Sequence, residues 1–110
     1  MEAVSRGCER AGGVTIGILP GTDKGDANPH IGFAIPTGMG VARNVLVVRA
    51  SDTVIAMAGG YGTMSEIALA LNIGKPVIDL GNWNIEGTVK ARSADEAVAM
   101  ALDKAVVLQV

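Results

Sequence analysis

Residues 52–80 read Asp52-Thr53-Val54-Ile55-Ala56-Met57-Ala58-Gly59-Gly60-Tyr61-Gly62-Thr63-Met64-Ser65-Glu66-Ile67-Ala68-Leu69-Ala70-Leu71-Asn72-Ile73-Gly74-Lys75-Pro76-Val77-Ile78-Asp79-Leu80. Two apolar runs flank a glycine-rich turn and a helical pattern, and that order decides the fold. Thr53 to Met57 is short, β-branched and uncharged, the composition of a strand buried on both faces of a parallel sheet. Thr63-Met64-Ser65-Glu66 has the form of a capping box, with the Thr63 hydroxyl on the Glu66 amide and the Glu66 carboxylate reaching back, so a helix is expected from Thr63. Met64, Ile67, Ala68 and Leu71 fall on one helical face. Gly74 supplies a left-handed stop, and Pro76 opens the second strand, Val77 to Leu80. Two strands joined by one helix lie parallel, with a right-handed crossover.

Gly59, Gly60 and Gly62 stand between the first strand and the helix. With no Cβ in the way, the backbone can approach a ligand closely, and the unpaired amides of the first helical turn favour an anion. Phosphate is the expected guest. The glycines could instead serve only a tight turn, but three in four positions at a strand-to-helix junction favour a ligand site. No Gly-Lys-Ser/Thr is present, which excludes the Walker loop and its NTPase chemistry. Gly60 and Gly62 match the first two glycines of the dinucleotide fingerprint, but Ser65 occupies the third place. Asp79, near the expected ribose-binding distance, is all that remains of a redox reading.

Composition narrows the classes further. The 110 residues suit one domain, 1–110, able to bury about two thirds of its unfolded surface. Hydrophobic residues make up 49%, which predicts a doubly covered sheet or a buried subunit interface, and hence a homo-oligomer, dimer or tetramer. A formal charge of -2 and only three aromatic residues leave no basic stripe or stacking platform for nucleic acid. No apolar run has the length of a membrane span, and Glu2, Arg6 and Glu9 interrupt a signal-peptide reading, so the cytoplasm is the expected compartment. A single Cys8 excludes an internal disulfide and a cysteine zinc site.

From the start of the chain, Met1 to Ala11 has a helical pattern with Val4, Cys8 and Ala11 on one stripe and Gly12-Gly13 as its stop. Val14 to Leu19 is the first strand. Thr22 to His30 is a polar loop, whose Asp23, Asp26 and His30 lack metal-ligand spacing, so no metal is expected. Ile31 to Ile35 alternates as a short strand ending at Pro36. Val41 to Ala50 reads as helix, since Val41, Val45 and Val48 lie at helical spacing. Gly81 to Gly87 is a loop holding Trp83, and Thr88 to Ala91 a last short strand. Ser93-Ala94-Asp95-Glu96 is a second capping box. Its helix carries Ala94, Ala97, Val98, Ala101, Leu102 and Ala105 on one face.

Ala58-Gly59-Gly60-Tyr61-Gly62-Thr63-Met64-Ser65-Glu66 resembles the PGGxGTxxE signature of the Lonely Guy (LOG) superfamily, once mislabelled lysine decarboxylases. The upstream Thr37-Gly38-Met39-Gly40-Val41-Ala42-Arg43-Asn44 is similar to one branch, the molybdenum-cofactor carrier proteins. The resemblance implies a Rossmann-like α/β fold, a mostly parallel sheet with helices on both faces. In that family a strand, a helix, another strand and a second glycine-rich turn come first, so the resemblance implies a chain lacking the N-terminal part.

Two functions follow from the resemblance. As a carrier, the chain would hold molybdenum cofactor or a related small phosphorylated ligand. Gly59, Gly60, Tyr61, Gly62 and Thr63 would act together with Gly38, Met39, Arg43 and Asn44. As a hydrolase, it would split the N-glycosidic bond of a nucleoside monophosphate, with Arg43 and Glu66 as the inherited catalytic pair. LOG hydrolases usually carry Lys where Asn44 stands and Pro where Ala58 stands, and both departures weigh against hydrolysis. Glu66 has a capping role open to it in either case. Trp83 and Tyr61 could each face a flat ligand or a subunit contact.

Overall fold

The computed structural model describes residues 1–105, and they fall into two compact units, Met1–Arg43 and a second beginning at Asn44. The fold is α/β and Rossmann-like, with parallel strands and four α-helices among the described residues.

In the first unit, helix α1 (Glu2–Arg10) leads through Gly12 into strand β1 (Ile16–Leu19). Strand β2 (Phe33–Pro36) lies parallel to β1, with Ile16 opposite Phe33 and Leu19 opposite Pro36. The expected Val4-Cys8-Ala11 stripe does not set the buried face of α1. Val4 is 45% exposed, and the buried residue is Ser5. The reason is polar: the Ser5 hydroxyl lies 3.0 Å from Asn28 Oδ1, which also accepts the His30 amide at 3.0 Å. His30 Nδ1 stands 3.4 Å from Glu9 Oε2, so the 22–32 loop is tied to α1 by polar contacts at two places. The second strand starts two residues later than its alternation suggests, because the Gly32 and Phe33 amides both converge on the Thr15 carbonyl.

The Val41–Ala50 stretch, expected as one helix, begins as a 3-10 turn over Gly40–Arg43 and continues as α2 (Asn44–Ala50). The second unit then runs β3 (Val54–Ala56), α3 (Tyr61–Asn72), β4 (Val77–Asp79), β5 (Val89–Lys90) and α4 (Ala94–Lys104). Its three strands form one parallel sheet in the order β3-β4-β5, with Val54 opposite Val77 and Ile78 opposite Val89.

Adjacent residues of a strand point to opposite faces, and β4 divides the core accordingly. Val77 joins Val48 of α2, Ile67 and Ala70 of α3, and Val54 and Ala56 of β3. Ile78 joins Ala91, just after β5, and Ala97 of α4 on the other face. Helices therefore cover both faces of this sheet. Each of the fully buried Ile67 and Ile78 contributes roughly 2 kcal/mol by leaving water. The edge strand β3 is less covered than expected: Ile55 between the two buried positions is 36% exposed.

Two helical faces are rotated from their sequence reading. On α3 the buried residues are Ile67 and Ala70, while Met64 is 43% exposed and Ala68 is exposed. On α4 the packed stripe is Ala97, Met100 and Ala101, leaving Val98 and Leu102 51% and 71% exposed. In both cases alanine takes the buried position, because a helix lying close on a sheet has room for a methyl group where a larger side chain would hold it off. The punctuation is as expected at Ser93, whose hydroxyl accepts the Glu96 amide at 3.1 Å. Gly74 has φ +79, and the Gly74 and Lys75 amides return to Leu71 and Ala70 in a Schellman motif. Lys75 extends its ammonium to the carbonyls of Arg49, in the last turn of α2, and Ser51, just past its end.

Candidate functional site

In open parallel sheets, ligands bind outside the carboxyl ends of the strands. At that end of β3, Met57 to Gly60 turn the chain into α3. The helix starts at Tyr61, two residues before the expected Thr63, with Gly60 as its N-cap and no side-chain cap. The Thr63-Glu66 pair therefore sits inside the helix and does not begin it. Gly60 is extended, at φ -103 and ψ -151, which lets the chain enter α3 without a capping side chain. The first helical bond returns from the Met64 amide to the Gly60 carbonyl at 3.2 Å. The amides of Tyr61, Gly62 and Thr63 precede it and have no carbonyl of their own helix to pair with.

The three glycines are not equivalent. A Cβ on Gly59 would collide with the Thr63 hydroxyl, so packing accounts for that glycine. A Cβ on Gly60 would meet nothing within 4 Å, and one on Gly62 only the Asn44 side-chain nitrogen at 3.9 Å. Nothing inside the fold requires glycine at these two positions, and they flank amides at the positive end of the α3 dipole. Tyr61 between them is 88% exposed.

Asn44 braces the turn from behind. It is 5% exposed, and its side-chain amide donates to Ser65 Oγ at 3.0 Å and to the Gly62 carbonyl at 3.4 Å. Ser65 in turn donates to the Gly62 carbonyl at 2.7 Å. Glu66 is half-buried in α3, on the turn that follows the glycines.

Gly38, Met39 and Arg43 belong to the first unit. Gly38 has φ +65 and donates its amide to the Gly21 carbonyl at 2.8 Å, so its backbone alone calls for glycine. Met39 is 45% exposed, its amide donated to the Thr37 hydroxyl, which itself donates to the Leu19 carbonyl at 2.7 Å. Arg43 closes the 3-10 turn half-buried, and its Nε is buried without a hydrogen-bond partner.

Asp79, which the sequence offers only as a ribose ligand, is committed elsewhere. It ends β4 at 1% exposure, where Oδ1 accepts the amides of Gly81 at 2.9 Å and Trp83 at 3.1 Å, and Oδ2 that of Asn84 at 2.8 Å. Burial pushes the carboxyl pKa up. The three amides and the charge of Lys90 more than offset it, so the pKa lies below the ordinary aspartate value. The signal for this role was present in the sequence, as an Asp followed by a Gly-Asn-Trp-Asn run able to curl back onto its side chain. Among the described residues no three His, Cys, Asp or Glu side chains gather to hold a metal ion, and no helix is long and apolar enough to cross a membrane.

Known proteins provide a frame for this geometry. The model of the SLOG cluster4 family matches residues 1–108. An uncharacterized protein of Archaeoglobus fulgidus is 42% identical over 107 residues, covering 96% of this chain and 70% of the relative. The cytokinin riboside 5'-monophosphate phosphoribohydrolase LOG5 of Arabidopsis thaliana is 38% identical over 69 residues, 61% of this chain and 30% of that enzyme. Among solved structures, the molybdenum cofactor binding protein of Rippkaea orientalis aligns with a TM-score of 0.86 at 38% identity, over 94% of this chain and 69% of its own. The molybdenum cofactor carrier protein of Chlamydomonas reinhardtii aligns with a TM-score of 0.78 at 32% identity, over 91% of this chain and 67% of its own.

Proposed function

The chain belongs to the SLOG cluster4 family, and from that membership we propose that it is a binding protein that carries a phosphate-bearing ligand, molybdenum cofactor or a close relative, without changing it. The observation that carries this reading is the open space over Gly60 and Gly62 beside the leading amides of α3. Ligand approach explains glycine there, and chain geometry does not. The amides of Tyr61, Gly62 and Thr63 hold the phosphate in this reading, while Gly59 keeps the Thr63 hydroxyl folded close. Asn44 fixes Gly62 through its carbonyl and through Ser65. Gly38, Met39 and Arg43 of the first unit are further candidates for binding on the family resemblance, and the Arg43 Nε is buried without a hydrogen-bond partner. The likeness to two proteins named for binding or carrying molybdenum cofactor, at 38% and 32% identity, supports the choice of cargo. The same reading takes the protein to be a cytoplasmic homo-oligomer, its contacts drawn from exposed apolar residues such as Phe33, Ile35, Val98 and Leu102.

A second reading is supported by the similarity to the Arabidopsis phosphoribohydrolase. In it, water cleaves the N-glycosidic bond of a nucleoside monophosphate, Glu66 stabilises the sugar cation and Arg43 positions the substrate. Asn44, standing where LOG hydrolases usually carry Lys, favours the carrier, because a carboxamide brings neither charge nor acid and here it supports the turn through Ser65 and Gly62. Mass spectrometry of small molecules retained by natively purified protein, run beside an assay of base release from AMP, tests both. A retained pterin with no adenine released is expected. Adenine released in proportion to enzyme overturns the carrier reading.

A further inference from the structure

The residues that shape the approach to the glycine turn lie on a different strand. Asp79 closes the central strand of its sheet and is almost wholly removed from water, a placement that is costly for a carboxylate unless its oxygens are satisfied. Three amides satisfy them, and they converge because Asn82 and Asn84 adopt left-handed conformations, φ 57 and 52, that wrap residues 81–84 around the carboxylate. The loop so formed grips the neighbouring strand at two points. Trp83 donates its indole N–H to the Met57 carbonyl at 2.9 Å. Gly81 lies so close to the same peptide that a Cβ there would stand 2.6 Å from the Met57 carbonyl carbon and 2.7 Å from the Ala58 nitrogen. Met57 and Ala58 are the only residues between the end of β3 and the first glycine of the turn.

We propose that Asp79 and Trp83 are positioning residues for the ligand site: the Asp79 carboxylate shapes the 81–84 loop, and Trp83 and Gly81 clamp the Met57–Ala58 peptide, which sets where the amides of 60–63 stand. Neither side chain touches the ligand. The clamp extends the binding reading above, since it supplies what an amide cradle needs, a backbone held in place before the anion arrives. The aromatic ring also packs against the core cluster to which Val54 and Ala56 belong, so the loop is anchored by packing as well as by the indole hydrogen bond.

The test uses two arms on wild type, Trp83→Phe and Gly81→Ala. In ligand-free protein, amide hydrogen exchange is followed residue by residue. Trp83→Phe keeps the ring in the core but removes the donor, so exchange should quicken at Met64, the first amide of α3 that is bonded, to the Gly60 carbonyl, while α4 keeps its protection. Gly81→Ala, which displaces the same peptide by contact alone, should do likewise. In the second arm, calorimetry with anaerobically extracted molybdenum cofactor should find both variants weaker than wild type by about tenfold or more, the loss usual when a group that orients direct contacts is removed. Unchanged exchange at Met64 in both variants overturns the clamp, as does wild-type affinity in both. Failure of wild type itself to bind the cofactor overturns the proposed cargo and leaves the exchange arm to decide the clamp.

Discussion

Asn44 donates its side-chain amide to the hydroxyl of Ser65 across 3.0 Å, joining the start of α2 to the first turn of α3 from a buried position. The hydroxyl donates its own hydrogen bond to the Gly62 carbonyl, so one amide holds the carbonyl of a ligand-site glycine both directly and through Ser65. Asn44→Ala should cost about 1 to 2 kcal/mol, the loss of a buried side-chain hydrogen bond with little apolar surface gained. Urea unfolding monitored by circular dichroism measures it. A cost near zero would mean that water replaces the amide without penalty.

Gly59 and Gly60 should respond oppositely to substitution. Gly59→Ala drives a methyl into the Thr63 side chain and should destabilise by about 1 to 3 kcal/mol. Gly60→Val enters open space at a φ that any residue adopts, so the melting midpoint should reflect only a poorer N-cap, about 1 kcal/mol or less. Its cofactor binding should nevertheless vanish, because the isopropyl group occupies the approach to the amides. Paired calorimetric and thermal measurements separate the two glycines.

The depressed pKa of Asp79 makes a signed statement about acid. A carboxyl whose folded pKa lies below its unfolded value contributes stability above the unfolded value, 3.8, and loses it as pH falls through the folded one. Asp79→Asn should cost roughly 2 to 3 kcal/mol at pH 7, since the new NH2 group faces an amide that the carboxylate oxygen had accepted. The gap between wild type and variant should be constant from pH 7 to near 5 and shrink below about 4. Denaturant midpoints collected at intervals from pH 3 to 7 provide the curve. A gap independent of pH would show that charge is not what the loop uses.

Glu66→Gln separates carrier from hydrolase. For a carrier, removing a negative charge near the head of α3 should leave cofactor affinity unchanged or raise it by about two- to fivefold, as the helix end then meets the phosphate with less repulsion. For a hydrolase, AMP turnover would drop by about a hundredfold or more. The expected result is the first, with no AMP turnover in wild type for the substitution to reduce.

The order of elements was legible because it is written in local patterns: apolar runs of strand length, the Ser93 cap, the Gly74 stop. Faces were less legible. Val98 and Leu102 match the helical period as well as Met100 does, and only the closeness of sheet to helix selects Ala97 and Ala101 for the core. The α3 boundary was misread for a related reason. Thr63 and Glu66 spell a capping box at the right spacing, yet Gly60, which has no side chain to advertise a cap, begins the helix. The glycine turn itself could be found from composition, whereas the buried Asp79 bonds depend on the left-handed turns at Asn82 and Asn84, which no periodicity announces.

Trp83 is the only tryptophan in the chain, and its indole N–H is bonded to the last peptide before the glycine turn. The protein thus carries an intrinsic fluorophore beside the turn where its ligand is proposed to bind. Excited-state indole responds to the strength of the hydrogen bond it donates and to absorbing neighbours, so a pterin arriving at the turn would alter both the colour and the yield of emission. Loading and unloading of the cargo can then be followed in unlabelled protein, in real time, through one residue whose signal needs no deconvolution.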